Sequence, residues 1–85
     1  MAKEPESIPE AVSASLLTLA SRLDEQGKVH QALTPYLKVL ERYPDSQEAS
    51  LATERVLAIA EDLHERGQPH MAMAVLERLE GVHQG

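Results

Sequence analysis

Four histidines are the residues of this chain best suited to bind a metal ion: His30, His64, His70 and His83. A helical metal site usually takes two histidines four residues apart, because both then face the same side. His64 and His70 are six residues apart with a glycine between them. His30 and His70 are forty apart, at equivalent positions of a repeat described below. A histidine metal site is therefore a remote alternative, and we interpret these side chains as solvated turn residues.

Two pairs of adjacent carboxylates, Asp24–Glu25 and Glu61–Asp62, are the candidates for acid–base chemistry. A catalytic pair needs one carboxylate that is desolvated and keeps its proton. We expect both pairs on exposed helix faces, where water solvates every member. The sequence also has no Ser–His–acid order and no glycine-rich phosphate loop. It therefore predicts no enzymatic activity and no cofactor.

The composition predicts an all-α domain. The 85 residues suffice for one small domain, whose core is only just large enough to be stable. Apolar residues make up 42% of the chain, but the aromatic ones are only Tyr36 and Tyr43. The core must therefore consist of Leu, Val, Ile and Ala. Most of the remaining residues are good helix formers.

The formal net charge of −6 argues against nucleic acid and anionic membranes as partners. The absence of cysteine excludes disulfides and thiolate chemistry. The opening MAKEPESIPEAV is acidic and lacks the apolar segment of a secretory signal. No apolar run approaches the ~20 residues that span a bilayer. We therefore expect a cytoplasmic protein, or the soluble domain of a larger one.

Capping residues and glycine predict the first helix. Ser7 and Glu10 have the spacing of a capping box, Pro9 falls in the first turn, and Gly27 ends the helix. Apolar residues then follow at spacings of three and four, as on one helix face. This inner face comprises Val12, Leu16, Leu19, Ala20 and Leu23.

A second helix is predicted from about Val29 to Tyr43, where Pro44 stops it. Pro35 lies inside this helix and removes one backbone hydrogen bond. We expect a kink there, or a helix that begins later than Val29.

Two further helices follow. Asp45 and Glu48 form a capping pair that opens a helix from about Ser46 to Arg66. The fourth helix begins near Pro69 and ends at Gly81. Its predicted inner face comprises Met71, Ala72, Val75, Leu76 and Leu79. The predicted connections are two to four residues long, so neighbouring helices must be antiparallel.

An internal repeat with a period of forty links the two halves of the chain. The segment DEQGKVHQAL, residues 24–33, has its counterpart in HERGQPHMAM, residues 64–73. Most of the recurring positions are apolar or small, as expected if packing maintains the repeat. Leu17, Ala20, Leu23, Glu25, Gly27, His30 and Ala32 recur as Leu57, Ala60, Leu63, Glu65, Gly67, His70 and Ala72.

The pattern resembles the tetratricopeptide repeat, a helix-turn-helix unit of about 34 residues. In the first repeat the matching positions are Leu16, Leu19, Ala20, Leu23, Gly27, Ala32, Tyr36 and Pro44. In the second they are Val56, Ile59, Ala60, Leu63, Gly67, Ala72 and Leu76. The stretch YPDSQEA, residues 43–49, resembles the join between consecutive repeats in bacterial members. The period of forty and Pro35 depart from the family pattern. HEAT-like helix pairs and a plain four-helix bundle are the alternative architectures.

This resemblance implies two antiparallel helical hairpins that form a fragment of a right-handed α-solenoid. We expect a disordered N-terminus at residues 1–6, a four-helix domain at 7–80 and a frayed tail at 81–85. The first repeat covers about 9–44 and the second about 45–80.

The family's function is to bind other proteins, so the resemblance implies an interaction or assembly module without catalysis. In such arrays the first helix of each hairpin lines a groove. Here that groove is acidic, and a basic or amphipathic peptide is the ligand that suits it. The implied groove residues are Leu17, Ser21, Asp24, Glu25, Glu54, Leu57, Glu61, His64 and Glu65. The competing interpretation makes these residues the polar outer face of the first and third helices.

Self-association is a second hypothesis. Stacked repeats generally need about three units for stability, and this chain has two. The second helices also carry more apolar surface than one neighbour can cover, which favours a homodimer or docking to the rest of a longer protein that contains this chain. The candidate residues for this contact are Leu33, Leu37, Leu40, Met73 and Leu76. Their alternative place is the core.

Overall fold

The computed structural model describes the backbone of residues 4–84 and the side chains of residues 11–82. This part of the chain contains helices and no strand, which confirms the all-α prediction. The helices are α1 (Glu4–Glu25), α2 (Val29–Arg42), α3 (Gln47–Glu65) and α4 (Pro69–Gln84). None of these helices is both long enough and apolar enough to cross a bilayer.

The start of α1 differs from the prediction. The helix begins at Glu4, so Ser7 lies inside it and is not its cap. Pro5 falls in the first turn, where a missing N–H costs no helical hydrogen bond. Of the segment expected to be disordered, residues 4–6 belong to α1 and residues 1–3 lie outside the described part.

The cap of α3 is Ser46, so the predicted capping pair of Asp45 and Glu48 is wrong. The Oγ of Ser46 accepts a hydrogen bond from the Ala49 N–H at 3.1 Å. A serine oxygen satisfies one of the unpaired N–H groups of the first turn as well as a carboxylate does. Glu48 has another role: its Oε1 accepts a hydrogen bond from the buried Ser13 Oγ at 3.1 Å, which ties α1 to the start of α3.

Two further helix ends bear on the predictions. The structure places the start of α2 at Val29, and α2 includes the buried ring of Pro35, so the later start is wrong. Gly81 does not end α4, which continues to Gln84. Glycine ends a helix when the backbone turns to positive φ, and Gly81 has no positive φ. Of the tail expected to fray, residues 81–84 are helical and residue 85 lies outside the described part.

The turns at residues 26–28 and 66–68 repeat each other bond for bond. Gly27 has φ +81° and Gly67 has φ +82°. The N–H of Lys28 donates to the Leu23 carbonyl at 2.8 Å, and the N–H of Gln68 donates to the Leu63 carbonyl at the same distance. These bonds close the end of one helix in the manner of a Schellman motif. The sequence repeat is therefore also a repeat of backbone conformation at these turns.

We predict that alanine at either turn glycine destabilises the protein by about 1–2 kcal/mol, because a Cβ disfavours the left-handed region. A Cβ at Gly27 or Gly67 meets no atom within 4 Å, so the cost is conformational and should be equal at both. Gly81→Ala is the matched control, since it too has open space but lies inside a helix. That change should stabilise by roughly 0.5–1 kcal/mol. Urea unfolding followed by circular dichroism measures all three, and a neutral Gly27→Ala would contradict the prediction.

The helices form two pairs. The first helix pair is α1 with α2, the second helix pair is α3 with α4, and α2 packs against α3 to join them. Small residues lie where helices approach closely: Ala20, Ala32 and Ala52 have no exposed surface. One buried cluster runs through both pairs, and its largest member is Tyr36.

The predicted inner faces of α1 and α4 are only partly correct. Ala20, Ala72, Val75 and Leu79 are buried, as predicted. Val12, Leu19, Met71 and Leu76 were expected inside and are exposed. The reason is that α1 and α4 are the outermost helices, and the described chain has no further helix to cover their outer sides.

Candidate functional site

Asp24 is the centre of a contact between the two helix pairs. The sequence had predicted that it lines an open acidic groove. Its Oδ2 accepts hydrogen bonds from Arg55 of α3, at 2.6 Å from Nη2 and 3.0 Å from Nε. The same oxygen accepts a hydrogen bond from the hydroxyl of Tyr36 in α2 at 3.1 Å. The Asp24 side chain is 12% exposed. This carboxylate therefore holds α3 against the first helix pair.

The environment of this contact changes the acidity of two of its members. Burial raises the pKa of the Tyr36 hydroxyl, and the negative charge of Asp24 adds to that effect. The hydrogen bond to Asp24 raises the pKa of the Arg55 guanidinium. Tyr36 therefore remains a neutral donor and Arg55 a cation, and both act as fixed partners of the carboxylate.

A groove of about 640 Å³ lies between α3 and α4, on the side away from the first helix pair. We call it the distal groove. Apolar side chains and small residues form its floor, and polar side chains of α3 form one edge. It is lined by Leu57, Ala60, Glu61, His64, Glu65, Pro69, Ala72, Met73 and Leu76. A second recess of about 400 Å³ adjoins it, shares Met73 and Leu76, and adds Glu77 and Glu80.

The distal groove brings together residues that the sequence had assigned to two different sites. Leu57, Glu61, His64 and Glu65 were predicted to bind a peptide. Met73 and Leu76 were predicted to mediate self-association, and they line the same groove. Leu17, Ser21, Glu25 and Glu54 do not line it. The distal groove runs along α3 and α4, and the peptide groove expected along α1 and α3 stays a prediction.

Three of the self-association candidates are core residues. Leu33, Leu37 and Leu40 are buried by neighbouring helices, with 5%, 3% and 3% of their surface exposed. Met73 and Leu76 are the repeat counterparts of Leu33 and Tyr36, yet they are 58% and 40% exposed. The difference follows from position: α3 packs against the first helix pair, and no described element packs in that place on the second.

The repeat therefore identifies what kind of surface the distal groove is. In the first helix pair, Asp24 binds Arg55 of α3 and accepts a hydrogen bond from Tyr36. The counterparts of Tyr36 and Asp24 in the second pair are Leu76 and His64, which both line the groove. The groove is the counterpart of the surface that α3 covers on the first pair. In the first helix pair, the chain fills the equivalent surface with α3.

Glu77 and Glu80 are the functional candidates that the sequence reasoning missed. They are exposed and stand where the first repeat has Leu37 and Leu40. The signal was present in the repeat itself, since two buried leucines are replaced by two glutamates at an offset of forty. Ser13 was missed for a different reason: its hydrogen bond to Glu48 connects residues 35 apart and has no local signature.

The side chains considered for metal binding and acid–base chemistry are dispersed. His30, His64 and His70 are exposed, and the side chain of His83 lies outside the described residues. Within the described part, no three His, Asp or Glu side chains come close enough to hold a metal ion. Asp62 binds Arg66 one helical turn later at 2.9 Å, and Asp24 binds Arg55. One member of each adjacent carboxylate pair is thus held by a guanidinium.

Comparison of the chain with protein-family models, curated proteins and solved structures found no match.

Proposed function

We propose that this protein is a non-catalytic protein-interaction module whose distal groove binds an amphipathic helix of another protein. The observation that carries the proposal is the exposed apolar floor formed by Leu57, Met73 and Leu76. This floor is the counterpart, on the second helix pair, of the surface that α3 covers on the first. Burying it against a helix would remove apolar surface from water, which is the main driving force for association. Helix-in-groove binding is a common mode of peptide recognition.

The proposal includes a tetratricopeptide-like arrangement of the two helix pairs as a short right-handed α-solenoid. Its support is the repeated turn geometry at Gly27 and Gly67 and the small residues at Ala20 and Ala60. Repeat arrays of this kind present helix-binding surfaces because each unit packs on the next in the same way. In such an array, the outer surface of each unit is the place where a further helix packs.

A selection of helix-forming peptides displayed on phage tests this function, with the Met73→Glu variant as the counter-target. We expect peptides that bind the wild type and not the variant, with apolar residues at spacings of three and four. Met71→Glu is the matched control, because Met71 is also an exposed methionine of α4 but does not line the groove. It should retain binding. A selection that yields no peptide dependent on Met73 would refute the proposal.

Homotypic assembly is a second candidate, favoured by one observation on α1. Residues 11–21 contain no charged side chain, although charged residues make up 26% of the chain. Within this stretch Val12 and Leu19 are exposed. If α1 of one copy fills the distal groove of another, sedimentation should show mass rising with concentration, and Leu19→Glu should abolish the rise. A monomer at all concentrations would eliminate this candidate.

A further inference from the structure

We infer that the occupant of the distal groove is a basic amphipathic helix, bound in the orientation in which α3 lies on the first helix pair. The inference rests on the proposed function and specifies the partner's chemistry. It uses α3 as an internal template: the groove residues have counterparts forty positions earlier, and among these Asp24 binds Arg55 of α3 while Leu33 and Tyr36 share a buried cluster with α3 residues. Where a groove residue and its counterpart have the same chemical character, the occupant should carry the same kind of residue as α3. Where the two differ in character, the occupant must differ from α3 at the facing position.

In the middle of the groove, the lining residues and their counterparts in the first helix pair are all apolar or aromatic. Leu33 and Tyr36 of the first pair correspond to Met73 and Leu76 of the second. The α3 residues Val56 and Ile59 are buried in the same cluster as Leu33 and Tyr36. The occupant should therefore carry apolar residues at the positions of Val56 and Ile59.

The counterparts differ in charge at the far end of the groove. Leu40 of α2 lies beside Ala49 and Thr53 of α3, since the three line one cleft where α2, α3 and α4 meet. Its counterpart in the second pair is Glu80, and the counterpart of Leu37 is Glu77. An alanine or threonine in front of these carboxylates would leave them without a cation. Lysine or arginine at the positions of Ala49 and Thr53 would complement them.

The side of the groove that α3 forms also favours a cationic residue in the occupant. In the template, Arg55 binds Asp24. The counterpart of Asp24 is His64, which lines the groove with Glu61 on one side and Glu65 on the other. A cation at the position of Arg55 would therefore lie near two carboxylates. Glu61 and Glu65 line the groove, and Glu77 and Glu80 line the adjoining recess. These four carboxylates favour a basic partner.

A second copy of this chain is the less suitable occupant. The positions of Ala49, Thr53 and Arg55 correspond in α1 to Pro9, Ser13 and Ser15, none of which is cationic. Each copy also carries a formal charge of −6, so two copies repel each other. A basic helix from another protein meets both requirements of the groove.

Two synthetic peptides that cover residues 46–66 of this chain test the inference. One carries Ala49→Lys and Thr53→Lys, and the other carries Ala49→Glu and Thr53→Glu. At low ionic strength we expect the lysine peptide to bind the wild-type protein about ten-fold more tightly in calorimetric titration. The double variant Glu77→Lys, Glu80→Lys should reverse the preference. Circular dichroism establishes that each protein variant is folded.

A control variant separates local contact from long-range attraction. Glu25→Lys with Glu41→Lys changes the net charge by the same amount at exposed residues outside the groove. It should keep the preference for the lysine peptide. Equal affinities of the two peptides, or a preference that survives reversal of Glu77 and Glu80, would overturn the inference. If displayed peptides still require Met73 but show no excess of lysine and arginine, the proposed function stands and the basic occupant is wrong.

Discussion

Replacement of Tyr36 by alanine is expected to destabilise the protein by about 3–5 kcal/mol. The side chain has no exposed surface and is the largest of the fully buried ones in the described chain. Its removal leaves a cavity where α2 and α3 meet and deletes the hydroxyl donor to Asp24. A domain of this size has a free energy of unfolding of roughly 4–13 kcal/mol, so the loss is a large fraction of the total. Urea unfolding followed at 222 nm measures it.

Tyr36→Phe separates the ring from the hydroxyl. It keeps the packing and removes one hydrogen bond to a carboxylate that Arg55 still binds. We expect a cost of about 1–2 kcal/mol. Tyr43→Ala is the matched control, because Tyr43 is the other aromatic residue and is half-buried at the end of α2. Equal costs for Tyr36→Ala and Tyr43→Ala would show that Tyr36 is not the centre of the core.

The second large effect is expected at Ile59, whereas its repeat counterpart Leu19 should show almost none. Ile59→Ala should destabilise the protein by about 2–5 kcal/mol, as large-to-small core changes do. Leu19→Ala should change stability by less than about 0.5 kcal/mol, as surface changes do. Ile59 is 3% exposed and Leu19 is 50% exposed, although they are counterparts at an offset of forty. Denaturant unfolding at low protein concentration compares them without interference from self-association.

The difference between Ile59→Ala and Leu19→Ala tests whether equivalent residues of the two helix pairs are packed differently. The proposed function and the basic occupant both depend on that difference. If α3 is covered by the first helix pair and α1 by nothing equivalent, only the Ile59 change creates a cavity. Similar costs at the two positions would mean that the repeat is symmetric in packing. Leu33→Ala and Met73→Ala form the same comparison for the distal groove, which Met73 lines, with exposures of 5% and 58%. Similar costs at these two positions would remove the interpretation of the distal groove as an uncovered helix site.

Local chemistry explains which parts of the fold the sequence predicted. Gly27 and Gly67 end their helices because a turn to positive φ suits residues without a Cβ. Pro44 follows soon after the end of α2 for an equally local reason, its restriction of the preceding residue. Ser7, Asp45 and Gly81 were misassigned because several nearby residues could serve as a cap or a stop. Pro5 and Ser46 fill the places expected of Pro9 and Asp45.

The site was only partly predictable, because exposure depends on which neighbours are present. Asp24 and His64 occupy the same repeat position, yet one is fixed by Arg55 and the other lines an open groove. The sequence assigned Leu57 and Met73 to separate surfaces because they lie on different helices. Only the packing of α4 on α3 brings them together.

The sequence alone was enough to predict the helical class, the two turn glycines, the repeat of forty and the acidic character of the surface. These properties depend on propensity, backbone conformation and charge, which belong to single residues and short segments. The tertiary structure decided which of two equivalent residues is buried. It did so because burial requires a neighbour: the first helix pair has α3 as its neighbour, and the second pair presents the equivalent surface as the distal groove.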